Sequence, residues 1–280
     1  MSVDQRPPPR VPRHAVGRRE FFRWFEEVCP AATSRAFARG RVEGRGSSYE
    51  LALDAWAVAG APRAVLDVGC GEGQLLALAA ERWPSTELLG VDVVDMSRAF
   101  DAAGHGARFW LSDAASLPLE DEQVDLTVFH FSLPFVEDPV AALREAARAL
   151  RPNGVLSVVV GAPTREETVY QRFSARVRDL YRRGHGDPIQ LVDRRTQTAK
   201  DLIQLAREAG FLDISVQEAE MILDGDEASL FGLMTTTYDW AFLDDIARAE
   251  LEDHCRSLLG EAPLIRCRIG LRHLVGVRRA

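Results

Sequence analysis

The stretch Val65 to Gln74, VLDVGCGEGQ, decides the fold. Val65, Leu66 and Val68 are β-prone and apolar, so the run suits a strand covered on both faces. Leu75, Leu76, Leu78 and Ala79 continue at helical spacing, so a helix follows. Between them Gly69, Gly71 and Gly73 take alternate positions. Glycine reaches positive φ and carries no side chain, so a ligand can lie directly against the backbone N–H groups of such a turn. The dinucleotide fingerprint GxGxxG would place its third glycine where this chain has Gln74, which disfavours a pyrophosphate cradle.

Apolar runs separated by helical patterns recur at 64–68, 87–93, 107–111, 124–129 and 155–160. This alternation predicts a parallel sheet with helices on both faces. The clearest helix begins at Asp138, an N-cap, with Pro139 at the first helical position, and stops at Pro152 and Gly154. Another runs from about Thr198 to Gly210, and two strands follow, near 214–216 and 265–277. Helices are also expected between Phe21 and Ala59, broken at Gly44 to Ser48.

Two carboxylates stand where further strands end. Asp92 lies 19 residues beyond Gly73, where an acidic side chain accepts hydrogen bonds from both ribose hydroxyls. The same place serves the NAD ribose in dehydrogenases, so Asp92 points to a nucleoside without naming it. Asp113 follows the third run in RFWLSDAASLPL; it faces a ligand or caps a helix.

Bulk properties narrow the alternatives. The 280 residues are 46% hydrophobic and 27% charged, and no apolar run approaches bilayer-spanning length, so no membrane partner is expected. The opening MSVDQRPPPRVPRHAVGRRE lacks the apolar segment of a secretory signal, so a cytoplasmic location is expected. Cys29, Cys70, Cys255 and Cys267 form no CxxC pair, which indicates reduced thiols and no metal site. A net charge of −8 disfavours nucleic acid as partner, the basic exceptions being the amino-terminal arm and residues 35–45.

The GxGxG spacing after a strand ending Asp67–Val68 resembles motif I of the class I S-adenosylmethionine (SAM) methyltransferases. The segment around Asp113, Leu117 and Pro118 resembles the family's adenine-facing segment. Residues 124–160 resemble the fourth-to-fifth strand region of its ubiquinone-biosynthesis-like, small-molecule subgroup. The resemblance spans residues 63–160 and 196–218. It implies a Rossmann-like, seven-stranded, mostly parallel sheet with N-terminal helices and a helical cap made by insertions. The expected layout is a disordered basic arm at 1–20, helices at 21–62, and a SAM-binding domain at 63–280 with insertions at about 162–195 and 224–262.

The resemblance also assigns roles. Asp67, Gly69, Cys70 and Gly71 hold the methionine part of SAM, Asp92 the ribose, Val93 and Met96 a wall of the adenine slot, and Asp113 with Ala114 the adenine edge. His130 and Phe131 border the reacting end, although Met96 and Phe131 fit core packing equally well. The implied reaction moves a methyl group to an O, N or C nucleophile of a small organic acceptor and leaves S-adenosylhomocysteine. His130, with an ordinary pKa near neutrality, is the candidate general base or a structural residue. Family members acting on nucleobases or protein amides carry Asn or Asp followed by ProProTyr here; this chain has His130, Phe131, Ser132 and Leu133, which argues for a small acceptor. Tyr49, Tyr170, Tyr238 and Trp240 are candidate acceptor contacts or the packing of a helical cap. Three other readings stay open: a SAM-fold cyclase or pericyclic catalyst, an NAD(P)-dependent oxidoreductase, which Gln74 opposes, and a non-catalytic binding protein.

Overall fold

The computed structural model of the protein describes residues 7–12, 17–57, 60–164, 167–235, 237–260 and 265–279. Residues 1–6 and 13–16 of the expected amino-terminal arm lie outside the described residues. In chain order the first elements are α1 (Arg18–Val28), α2 (Ala32–Ala38), the strand β1 (Arg41–Val42) and α3 (Ser48–Leu53). The alternating part follows as β2 (Ala64–Val68), α4 (Gln74–Arg82), β3 (Glu87–Asp92), α5 (Ser97–Ala103), β4 (Arg108–Leu111), β5 (Val124–His130), α6 (Pro139–Ala149) and β6 (Leu150–Ala162). Then come α7 (Val169–Arg182), α8 (Ala199–Glu208), β7 (Phe211–Gly225), α9 (Glu227–Thr235), α10 (Tyr238–Phe242), α11 (Asp245–Leu259) and β8 (Ile265–Arg278).

The strands form one sheet in the order β1-β7-β8-β6-β5-β2-β3-β4. β2 pairs in parallel with β3 and β5, β3 with β4, and β5 with β6, whereas β8 runs antiparallel to β6. The seven expected strands are all present, and the two-residue β1 adds an eighth that is too short to leave a periodic signal. From β2 the chain builds outward to β3 and β4, then returns to place β5 on the other side of β2. The strand order therefore reverses between β2 and β5, and a crevice for a ligand opens at the carboxyl ends of strands at such a point.

The residues explain the elements that frame this crevice. Every residue of β2 is buried, as the central strand of a sheet covered on both faces must be, yet its fourth residue is Asp67. α6 starts where Asp138 accepts hydrogen bonds from the N–H groups of Val140 and Ala141, with Pro139 fixing the first turn; such a cap contributes about 1 kcal/mol. α3 opens on a reciprocal capping box, in which Ser47 accepts from the N–H of Glu50 and Glu50 accepts from the N–H of Ser47.

The chain divides into two compact units. One comprises Val42–Ala162, Leu191–Ala219 and Gly270–Ala280 and contains the parallel strands. The other comprises Met1–Arg41, Pro163–Gln190 and Glu220–Ile269. Its core is aromatic: Phe21 stacks on Phe242 with ring centroids 4.8 Å apart, and Tyr238 meets Phe25 edge-on at 4.8 Å. Arg176 of α7 and Arg183, its C-cap, both bond Glu250 of α11, joining those two helices. The four cysteines are free and buried, and no helix among the described residues is long and apolar enough to cross a membrane.

Candidate functional site

The glycine turn leaves β2 toward β3. The N–H groups of Gly69 and Cys70 both donate to the carbonyl of Val91, at 2.7 and 3.1 Å, which pins the start of the turn to the neighbouring strand. Gly69, Gly71 and Gly73 have φ of +76°, +50° and +82°, values that favour glycine. A β-carbon on Gly69 would lie 2.3 Å from the Cβ of Ser132, so the turn passes against the segment that follows β5. The Ser132 hydroxyl donates to the carbonyl of Val68, tying the ends of β2 and β5 together.

The two strand-end carboxylates face this turn differently. Asp92 accepts from the N–H of Gly71 through Oδ2 and from the N–H of Val94 through Oδ1, each at 2.9 Å. Burial raises its pKa, and these N–H bonds oppose the rise. Asp67 is 2% exposed, and its Oδ1 has no hydrogen-bond partner. Burial, and secondarily the charge of Asp92, push its pKa up to about 8. A carboxyl in a fully buried strand with an unanswered acceptor is costly unless a ligand supplies the missing donor.

The turn after β4 carries Asp113 and Ala114. Asp113 Oδ1 accepts from the N–H of Ala115 at 2.9 Å, and Ala114 is buried. This turn is anchored from α6. Glu145 accepts from the N–H of Leu117, while the Arg148 guanidinium donates to the carbonyls of Leu117 and Leu119 and to Asp121. Met96, buried, is the N-cap of α5, and Val93 is half-buried beside Asp92.

At the end of β5 the His130 imidazole lies against the Tyr49 ring, with centroids 4.2 Å apart, and Phe131 meets it edge-on at 4.9 Å. His130 Nε2 is 3.0 Å from the Ser48 hydroxyl. Burial, and then the neighbouring His273, hold its pKa down to about 3, so the ring is neutral at physiological pH. Phe131 has φ +57°, an uncommon conformation for a bulky residue, and it turns the chain sharply at the strand end.

The expected cofactor residues Asp67, Gly69, Cys70, Gly71, Asp92, Val93, Met96, Asp113 and Ala114 therefore stand at the carboxyl ends of β2, β3 and β4 in one unit, with His130 and Phe131 at the end of β5. Of the four candidate acceptor residues, Tyr49 joins His130. The others belong to the second unit: Tyr238 packs on Phe21, Phe22 and Phe25, Trp240 is buried with its edge to Phe231, and Tyr170 lies beside Phe173. Ser48, Ser132, Glu145 and Arg148 escape sequence reading, although the SSYE capping pattern marks the helix that carries Ser48. Among the described residues no group of three or more His, Cys, Asp or Glu side chains is disposed to hold a metal ion. A surface hollow on α5 and β4, lined by Ser97, Phe100, Asp101 and Arg108, contains none of the turn residues.

The fold and the turn define a nucleoside-binding α/β protein of the doubly wound kind. The residues present suit SAM: three glycines open the backbone, Asp92 offers a carboxylate to the ribose, and the orphaned Asp67 acceptor suits a cationic group. Residues 66–158 match the methyltransferase domain family. A demethylmenaquinone methyltransferase from Thermus thermophilus is 33% identical over half of this chain and 64% of its own length. A protein of 37.1 kDa in a Streptomyces fradiae transposon is 32% identical over 68% of this chain and 54% of its own. The chain thus spans about half the length, or somewhat more, of these two relatives. The crystal structure of the 4+2 cyclase SpnF covers 98% of this chain and 99% of that one, with a TM-score of 0.59 at 20% identity, a likeness of fold alone. Residues 66–158 thus form a methyltransferase domain of the class I SAM-dependent kind, whose cofactor is SAM.

Proposed function

We propose that the protein transfers the methyl group of SAM to an oxygen, nitrogen or carbon nucleophile of a small organic acceptor, as part of small-molecule biosynthesis. The observation that carries this reading is the uncharged end of β5, where a neutral His130 is packed between Tyr49 and Phe131. When bound, SAM supplies an electrophilic methyl on a positively charged sulfur, so the protein's share of the work is alignment and exclusion of water. Asp67, Gly69, Cys70 and Gly71 hold its methionine part, Asp92 the ribose, Val93 and Met96 a wall of the adenine slot, and Asp113 with Ala114 the adenine edge.

His130 serves this chemistry as a neutral ring. An imidazolium beside a sulfonium would oppose cofactor binding, and burial removes that charge. The same burial makes His130 a weak base, because general-base efficiency is greatest when the pKa lies near the working pH. His130 accordingly orients the acceptor while the acceptor's proton leaves to solvent, and the base role suggested by its ordinary pKa is secondary. One relative is a demethylmenaquinone methyltransferase, and Tyr49 and Phe131 give the β5 end aromatic surface that suits a planar acceptor.

The test is to incubate the protein with SAM and a panel of hydroxyquinones, phenols, amines and carboxylates, following S-adenosylhomocysteine by mass spectrometry. Methyl transfer yields S-adenosylhomocysteine in step with methylated acceptor. Rearranged acceptor with no S-adenosylhomocysteine would replace this reading with a cyclisation or pericyclic one. A thermal shift with NAD but none with SAM would move the protein to oxidoreductase chemistry.

A further inference from the structure

A chain of buried polar groups runs beneath the β5 end, and no role assigned so far uses it. Ser157 lies in the middle of β6 among valines and leucine, and His273 in β8 between Arg272 and Leu274, and the two are 0% and 1% exposed. Polar side chains at such positions are costly unless every donor and acceptor is answered. Here the bonds form one directed series. Gln217 Nε2 donates to His273 Nδ1 at 3.0 Å, His273 Nε2 donates to the Ser157 hydroxyl at 3.0 Å, and that hydroxyl donates to the carbonyl of Ala52 at 2.9 Å. The directions follow from Ser157: its one hydrogen goes to a carbonyl, so it accepts from His273, and Nδ1 of the neutral ring is left to accept from Gln217.

Ala52 lies in α3, the helix that also carries Ser48 and Tyr49. The Ala52 carbonyl, in the last turn of α3, already meets the backbone N–H of Ala55 at 3.4 Å, a long bond. Ser157 adds a shorter one, 2.9 Å, from the sheet below. Asp54, the C-cap of α3, bonds Arg45 and Arg82, and the capping box holds the other end. Leu51, Ala52 and Leu53 are buried against the unit, so α3 is fixed at both ends and from beneath, while Ser48 and Tyr49 meet His130.

We infer that His273 and Ser157 are positioning residues for methyl transfer: through the Ala52 carbonyl they fix α3, so that Ser48 and Tyr49 hold His130 in one orientation at the reacting end of SAM. This rests on the reading that the β5 end borders the methyl group. The adenine and ribose contacts, on β3 and β4, lie outside the series, so its loss acts on the sulfonium end alone.

The experiment compares SAM and adenosine as calorimetric probes on the full chain. Wild type, Ser157→Ala and His273→Gln are measured, the last because a glutamine amide can still donate toward Ser157. Ser157→Ala is expected to weaken SAM at least fivefold and adenosine less than twofold, and His273→Gln to stay within twofold of wild type for both. Long-range proton–nitrogen NMR should show one neutral His130 tautomer in wild type and exchange between two in Ser157→Ala. Equal losses for SAM and adenosine, or an unaltered His130 signature, would overturn the inference. If Ser157→Ala does not fold, Gln217→Leu, which frees His273 Nδ1 at the exposed end of the series, is expected to show the same SAM-selective loss, and equal losses there overturn the inference too. No SAM binding by wild type would instead defeat the assignment of the β5 end, a different outcome.

Discussion

Gly69 and Ser132 approach so closely that a β-carbon on the glycine would stand 2.3 Å from the serine Cβ, at a point where Gly69 also has φ +76°. Both the strained backbone and the clash oppose any side chain, and a non-glycine residue in such a conformation costs ~1–3 kcal/mol before the clash is counted. Gly69→Ala should therefore lower the melting temperature by several degrees and abolish SAM binding. Calorimetric unfolding with and without SAM checks both effects.

Asp67 makes SAM affinity depend on pH. Its pKa near 8 leaves it mostly protonated at neutrality in the free protein, and a cationic ligand favours the ionised form. Binding then releases a proton, and affinity rises from pH 6 to about 8 by at most about tenfold per unit. Titrations in two buffers of different ionisation enthalpy count that proton. Asp67→Asn should show neither the proton nor the slope.

Asp92→Ala removes the acceptor for the N–H groups of Gly71 and Val94 together with the proposed ribose contact. Leaving such partners unanswered costs about 1–3 kcal/mol, so SAM affinity should drop roughly tenfold to a hundredfold. Unchanged affinity by isothermal calorimetry would withdraw Asp92 from the ribose.

Acid stability should be governed by two buried histidines. Burial holds His130 near 3 and His273 near 4, both below the ordinary value of 6.5, so the unfolded chain binds more protons than the folded one between those limits. Stability then falls as pH drops from about 6.5 to 4, by up to about 1.4 kcal/mol per unit for each ring. Asp67, with its pKa raised, acts in the opposite sense: its contribution is full below pH 4 and is lost as pH rises toward 8. Denaturant midpoints across pH 4 to 7 should therefore show a shallower slope for His273→Gln than for wild type.

Much of this was legible in the sequence because its signals are local. β2 runs over the five residues expected, and α6 begins at the Asp138 cap, since burial on both faces and capping each leave a mark within a few neighbouring residues. β6 and β7 extend well beyond the expected runs, to Leu150–Ala162 and Phe211–Gly225, because pairing with a neighbour carries polar residues into the ladder where alternation fails. The contacts of His130 were hidden for a different reason. Ser48 is 82 residues away and His273 farther still, and nothing in the spacing of one strand reports what packs on it. The serine and histidine inside LSVVV and LRHLVGV were nonetheless a usable anomaly, since buried strands tolerate such residues only with partners.

The Asp92 carboxylate is braced by two backbone N–H groups of the chain itself, so the proposed ribose side of the cleft is held by the protein's own bonds. That side alone has little means of telling fresh cofactor from spent, because both share the adenosyl moiety and differ only in one methyl and its charge, so the distinction falls to Asp67. Turnover in a cell would then be throttled by accumulating S-adenosylhomocysteine, and the rate at which other enzymes clear that by-product becomes a control on this one.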